Sequence, residues 1–211
     1  MTQDSSPQMA YGRTEWDDHH HLPTNTGLTN EKVTMWAFLG SDCLLFGALI
    51  STYLLLRNRV GPSTNGPTAA DLFDIPFTSV SSFVLLMSSL TMVLAVTAIQ
   101  RAEMETCKLW LLTTAGLGAI FIAGQVYEFT SFYREGLGFT TNISSSAFYT
   151  LTGFHGVHVS LGIVMLVTMW VLVSGGQLGP ERAETIEIIG LYWHFVDIVW
   201  IVIFAVVYLI P

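Results

Sequence analysis

Five apolar stretches of about 20 residues or more, separated by short polar breaks, leave this chain few ways to fold. A helix rises ~1.5 Å per residue, so each stretch can cross a hydrocarbon core ~30 Å thick. Lipid offers backbone N–H and C=O groups no partner, so such a stretch cannot be a loop or a lone strand. The expected fold is all-α: a polytopic bundle of five transmembrane helices at residues 32–56, 77–100, 109–132, 147–173 and 185–210. The breaks are Arg57-Asn58-Arg59 with a Gly- and Pro-rich linker over 61–76, then Arg101 to Lys108, Arg134-Glu135-Gly136, and Ser174-Gly175-Gly176 with a charged turn to Glu184. Residues 1–30 read as a mobile polar tail without the apolar core of a signal peptide, and 31–211 as a single five-helix domain.

Composition narrows the function. Charged residues are only 11% of the chain, against about 25% in a soluble domain, and hydrophobic residues are 51%. A net charge of −8 with eight Lys plus Arg supplies no basic patch for a phosphate backbone, so nucleic acid is excluded as a partner. Cys43 and Cys107 are too few and too far apart for a disulfide framework, and Cys43 reads as a small packing residue. The tail run Asp17-Asp18-His19-His20-His21 reads as solvated sequence. With five spans, Arg13, Lys32, Arg101, Lys108 and Arg182 share one side, and Arg57, Arg59 and Arg134 the other. That excess predicts a cytoplasmic N-terminus and an outside C-terminus.

Small residues at helical spacing, Ala115, Ala119 and Ala123 in the third span and Gly153, Gly156 and Ser160 in the fourth, are expected to let helices approach closely. Trp36, Trp110, Trp193 and Tyr208 fit interfacial anchoring or packing.

The informative residues are ionisable ones inside the spans, because each costs at least a few kcal/mol if it faces lipid. They are Asp42, Glu128, His155, His158, His194 and Asp197. His155 and His158 share a face, as do Gln125 and Glu128, while Glu187, Gly190, His194 and Asp197 form one stripe. Asp42, His158 and Asp197 fall ~15 Å from the nearest span end, near the middle of the bilayer. Three readings compete for this polar seam: a metal centre of His and carboxylate ligands, a proton or ion path, or hydrogen bonds that pin helices together. The Glu-x-x-His pair of bundle di-iron proteins is absent.

Three segments carry a family resemblance. Tyr192-Trp193-His194-Phe195-Val196-Asp197-Ile198-Val199-Trp200 closely resembles a signature of subunit III of the haem-copper terminal oxidases, the cytochrome c oxidase family. Gly153-Phe154-His155-Gly156-Val157-His158-Val159 and Gln125-Val126-Tyr127-Glu128-Phe129 are similar to two more, and the likeness runs in order from about Leu28 onward. The resemblance implies the short bacterial form with five helices, in the bacterial cytoplasmic membrane, N-terminus inside. It implies an accessory chain with no catalytic residue, no metal and no haem or copper of its own, which packs on subunit I and sustains proton uptake. It further implies protection against turnover-linked inactivation, bound phospholipid, and a complex with subunit II and a small subunit; oxygen reduction and proton pumping belong to the partner. The sequence departs at Ser41-Asp42-Cys43, where many members carry a buried Glu. That version, with Asp71-Leu72-Phe73-Asp74-Ile75-Pro76, looks more like the ubiquinol or menaquinol oxidase branch, which stays a live alternative. A nitric-oxide-reductase-associated relative and a stand-alone transporter are more distant ones. On this reading the buried seam is structural, with Asp42 the residue that matters for function.

Overall fold

The computed structural model describes residues 29–57 and 74–210. Residues 1–28 of the expected N-terminal tail, and the linker from 61 to 73, lie outside the described residues, while Asn30, placed in that tail, is helical. Among the described residues, five helices are long and apolar enough to cross a membrane: α1 (Asn30–Leu56), α2 (Ile75–Gln100), α3 (Met104–Arg134), α4 (Ile143–Ser174) and α5 (Ala183–Phe204). A 3₁₀ turn, Pro180–Arg182, leads into α5, and a π-helical turn, Ala205–Leu209, extends it.

The helices start earlier than hydropathy predicts, because polar residues build their first turns. Asp74 caps α2 by accepting from the Phe77 N–H at 3.1 Å, and Pro76 sits in the first turn, where its missing N–H costs nothing. At α4, Asn142 Oδ1 accepts from Ser145 N–H at 2.6 Å while Ser145 Oγ accepts from Asn142 N–H at 3.2 Å. This reciprocal capping box absorbs Ser144, Ser145 and Ser146 into the helix. The polar break before the third span is itself mostly helical, steadied by a Lys108–Glu105 ion pair at 2.7 Å. Helices α2, α3 and α4 all stop in one way: the residue after the cap adopts a left-handed φ, at Ala102 (59°), Gly136 (89°) and Gly176 (69°). The next N–H then reaches back to a last-turn carbonyl, as Glu103 does to Ala98 at 2.9 Å.

Helices α2 to α5 form a ring in which each packs on the next and α5 returns to α2; α1 lies against α4 and α5. With lipid as the solvent, close packing and interhelical hydrogen bonds hold such a bundle. Trp193 of α5 is the central wedge. It is 1% exposed, its indole N–H donates to Ser88 Oγ of α2 at 3.0 Å, and its ring lies against Gly118 of α3 and Gly162 of α4. A Cβ on Gly118 or Gly162 would sit 2.6 or 2.8 Å from that ring, so both positions need glycine.

The expected alanine stripe is corrected. Ala115 is buried, but Ala119 and Ala123 face outward, and α3 makes its close approaches at Gly118 and Gly124. In α4, Gly156 makes room for the Gln125 side chain, whereas Gly153 has open space before it and Ser160 is exposed. A four-residue step drifts around a 3.6-residue helix, so a run of such steps leaves the contact face.

Candidate functional site: the buried polar groups

The ionisable side chains of the spans fall into separate groups, each with its own partners. Glu128 of α3 accepts hydrogen bonds from Thr78 of α2 at 2.9 Å and from the Tyr208 hydroxyl beyond α5 at 3.2 Å. A buried carboxyl is thereby shared by three elements. Its neighbour Gln125 serves a different helix, donating to the Thr152 carbonyl of α4 at 2.9 Å.

Asp42 joins α1 to α4. Its Oδ2 lies 3.6 Å from His158 Nε2. His158 Nδ1 is 2.7 Å from the Phe154 carbonyl, which can only accept, so Nδ1 carries a hydrogen. Nε2 is thereby turned toward the Asp42 carboxyl. The Tyr192 hydroxyl of α5 donates to the His158 carbonyl at 2.9 Å and ties the third helix to this point.

His155 turns into the aromatic core. Its ring is stacked on Trp200 with centroids 4.8 Å apart, and Phe121 and Phe46 meet it edge-on at 5.9 and 6.4 Å. Phe46 also packs on His158 at 5.0 Å, so the two histidines share one α1 ring. Trp200 in turn donates to Ser82 Oγ of α2 at 2.8 Å.

The stripe on α5 runs along its border with α2. Glu187 accepts from Gln100 at 2.6 Å and pairs with Lys32 of α1 at 3.1 Å. Gly190 packs on Met92 and Val96, and His194 Nδ1 meets Ser89 Oγ at 2.6 Å. Asp197 is buried beside Ser89.

Among the described residues no three His, Cys, Asp or Glu side chains converge as a metal-ligand set. What the sequence did not reveal are the neutral partners: Thr78, Ser82, Ser88, Ser89 and the Tyr192 hydroxyl. Serine and threonine are ordinary in a membrane helix, where they bond their own backbone, so spacing alone does not single these out. Trp193 and Tyr208, which also fitted interfacial anchoring, are core residues. The glycines facing Trp193 on α3 and α4 were the available signal.

Fold and polar interior together define a multi-pass membrane protein whose intramembrane polar groups join helices to one another. The family model for cytochrome c oxidase subunit III matches residues 12–210, and the chain belongs to that family, whose members are subunits of an oxidase complex. Among its relatives, "Cytochrome c oxidase subunit 3" of Bacillus sp. (strain PS3) is 39% identical over 85% of this chain and 86% of its own length. The Bacillus subtilis (strain 168) protein of that name is 37% identical, covering 85% and 86%. "Probable quinol oxidase subunit 3" of Staphylococcus saprophyticus is 36% identical over 85% of this chain and 88% of its own length.

Proposed function

We propose that this chain is the accessory third subunit of a bacterial haem-copper oxidase, with cytochrome c as electron donor. It does no redox chemistry itself. It packs against subunit I, alongside subunit II and a small subunit, and sustains oxygen reduction coupled to proton pumping. The observation that carries this reading is the family match over nearly the whole chain, together with an interior whose polar groups join helices. The charge excess supports a cytoplasmic N-terminus and an outside C-terminus. An apolar groove of about 370 Å³ between α3 and α4, lined by Ile122, Phe129, Val157 and Val164 among others, supports bound phospholipid. Asp42 is the functional carboxyl on this reading, because it is the one Asp or Glu buried in α1.

A quinol-oxidizing complex is the second reading, favoured by the Ser41-Asp42-Cys43 sequence and by a relative of that type at comparable identity. Mild-detergent purification of the chain from its native membrane, followed by a reduced-minus-oxidised spectrum, tests both. Haem bands with a large polytopic partner are expected, and oxidation of cytochrome c rather than quinol by the eluate selects the branch. A haem-free eluate, from detergent that keeps other respiratory complexes intact, overturns the oxidase assignment.

A further inference from the structure

The groove between α3 and α4 contains a polar atom that nothing in the bundle meets. Gln125 lines this groove and is 7% exposed. Its Nε2 donates to the Thr152 carbonyl, which can only accept, so the identity of the two amide atoms is fixed. Oε1 is turned the other way, over Gly156, where a Cβ would stand 2.8 Å from it. This oxygen accepts no hydrogen bond among the described residues. It belongs to a residue ~13 Å from the end of α3, well inside the hydrocarbon.

The groove around it is shaped for a flat ring. Its floor carries Gly153 and Gly156, and a Cβ on Gly153 would meet nothing within 4 Å. Phe129 forms a wall, braced from behind by Tyr149 and Phe148 with centroids 4.9 and 6.1 Å away. Val157, Leu161 and Val164, each more than half exposed, make an apolar track along α4. Ser160 lines the groove one turn beyond Gly156. Its hydroxyl hydrogen goes to the Gly156 carbonyl at 2.8 Å, which leaves its oxygen with lone pairs only. The groove thus offers two acceptors, Gln125 Oε1 and Ser160 Oγ, at levels ~6 Å apart along α4.

Acyl chains can fill such a groove but bring no donor, and the donors of a phospholipid stay with its head group at the surface. A quinol is different: it carries two hydroxyl donors on one flat ring, and its long apolar tail keeps that ring inside the hydrocarbon. We propose that the α3–α4 groove binds the head group of a membrane quinol, in competition with phospholipid. One ring hydroxyl donates to Gln125 Oε1 and the opposite one to Ser160 Oγ. The ring lies over Gly153 and Gly156 against Phe129, and the tail follows Val157, Leu161 and Val164. The oxidised quinone has carbonyls in place of hydroxyls and would set acceptors against acceptors, so the site selects the reduced form. No electron transfer is assigned to this groove, and the proposal holds whichever electron donor the complex uses.

The test is photolabelling of the complex purified in mild detergent under argon. The probe is a decyl benzoquinol with a diazirine beside the ring, and adducts are mapped by mass spectrometry of peptides from this chain. Label is expected within residues 122–129 and 153–164, and excess unlabelled decyl benzoquinol should suppress it. The same probe in its quinone form should label about ten-fold less or weaker still, the worth of a lost hydrogen bond. Gly153→Leu, which fills the open slot, should abolish the label. Ser160→Ala, at an exposed position that bonds only its own helix, should lower quinol labelling and leave quinone labelling unchanged. Equal labelling by quinol and quinone overturns the proposal, as does label confined to other parts of the chain or unaffected by both substitutions. Suppression by excess phosphatidylglycerol as strong as that by decyl benzoquinol assigns the groove to phospholipid instead. Failure of the oxidase reading shows separately, as absence of haem from the purified complex.

Discussion

Asp42 and His158 show what a single residue can decide inside a membrane. The Phe154 carbonyl holds a hydrogen on His158 Nδ1 and so turns Nε2 toward the Asp42 carboxyl, 3.6 Å away. Replacing Asp42 with Asn removes the ionisable carboxyl but keeps the shape. The expected outcome is slower proton uptake or fewer turnovers before inactivation in the assembled oxidase, read from activity time courses. Unchanged turnover and lifetime would reduce Asp42 to a packing role. His158→Leu leaves the Asp42 carboxyl without its imidazole, and the expected loss is in assembly, measured as the amount of chain co-purifying with haem. Normal assembly with lost activity would contradict a structural role for His158. At Gly162 the argument is steric, because a methyl group would sit 2.8 Å from the buried Trp193 ring. Gly162→Ala should cost about 1–3 kcal/mol, seen as a lower Tm in detergent, whereas Gly153→Ala, with open space before it, should leave Tm unchanged.

At the scale of helices, local chemistry sets where each begins and ends, and polar clips set how they sit together. Ala102 ends α2 in the left-handed conformation that Gly136 and Gly176 adopt at the ends of α3 and α4. A Cβ is unfavourable there, so Ala102→Gly should stabilise the chain by about 1 kcal/mol and raise Tm. A fall in Tm would show that the Ala102 methyl contributes packing that outweighs its strain. Helix α1 touches only α4 and α5 extensively, and polar contacts hold it at three levels. These are Lys32 with Glu184 and Glu187, Asp42 with His158, and Arg57 with the Ile210 carbonyl. Lys32 and its partners are partly exposed and screened by solvent, so losing one pair should matter little. The Asp42–His158 contact, removed from water, is the one whose loss should loosen α1.

For the whole molecule, the arrangement of five spans makes orientation a direct experiment. With Cys43 and Cys107 replaced by Ala, a cysteine introduced as Gly138→Cys in the α3–α4 connection should react with an impermeant maleimide added to intact cells. Gly179→Cys, in the connection before α5, should react only after permeabilisation. The reverse pattern would place the N-terminus outside and refute the charge argument. The ring of α2 to α5 with α1 at its side also leaves α5 half inside the bundle and half on its surface. This is why one helix carries both the buried Trp193 and the outward Ile198.

Hydropathy alone determined the number and order of the spans, since no backbone other than a helix can satisfy its own polar groups over 20 apolar residues. Residue types foreshadowed the helix ends at Gly136 and Gly176, and three short segments carried the family resemblance. The cost of charge in lipid marked Asp42, Glu128, His155, His158, His194 and Asp197 as residues needing protein around them. Their grouping was a matter for tertiary structure. Spacing along a helix gives a face but not the helix opposite, so a single stripe or seam on paper became Glu128 with Thr78 and Tyr208, Asp42 with His158, and His194 with Ser89. The same holds for the small residues: glycine at 118 and 162 matters because Trp193 arrives there, and Ala119 faces out because nothing does. Partners far apart in sequence are chosen by packing, and packing is a property of the folded bundle.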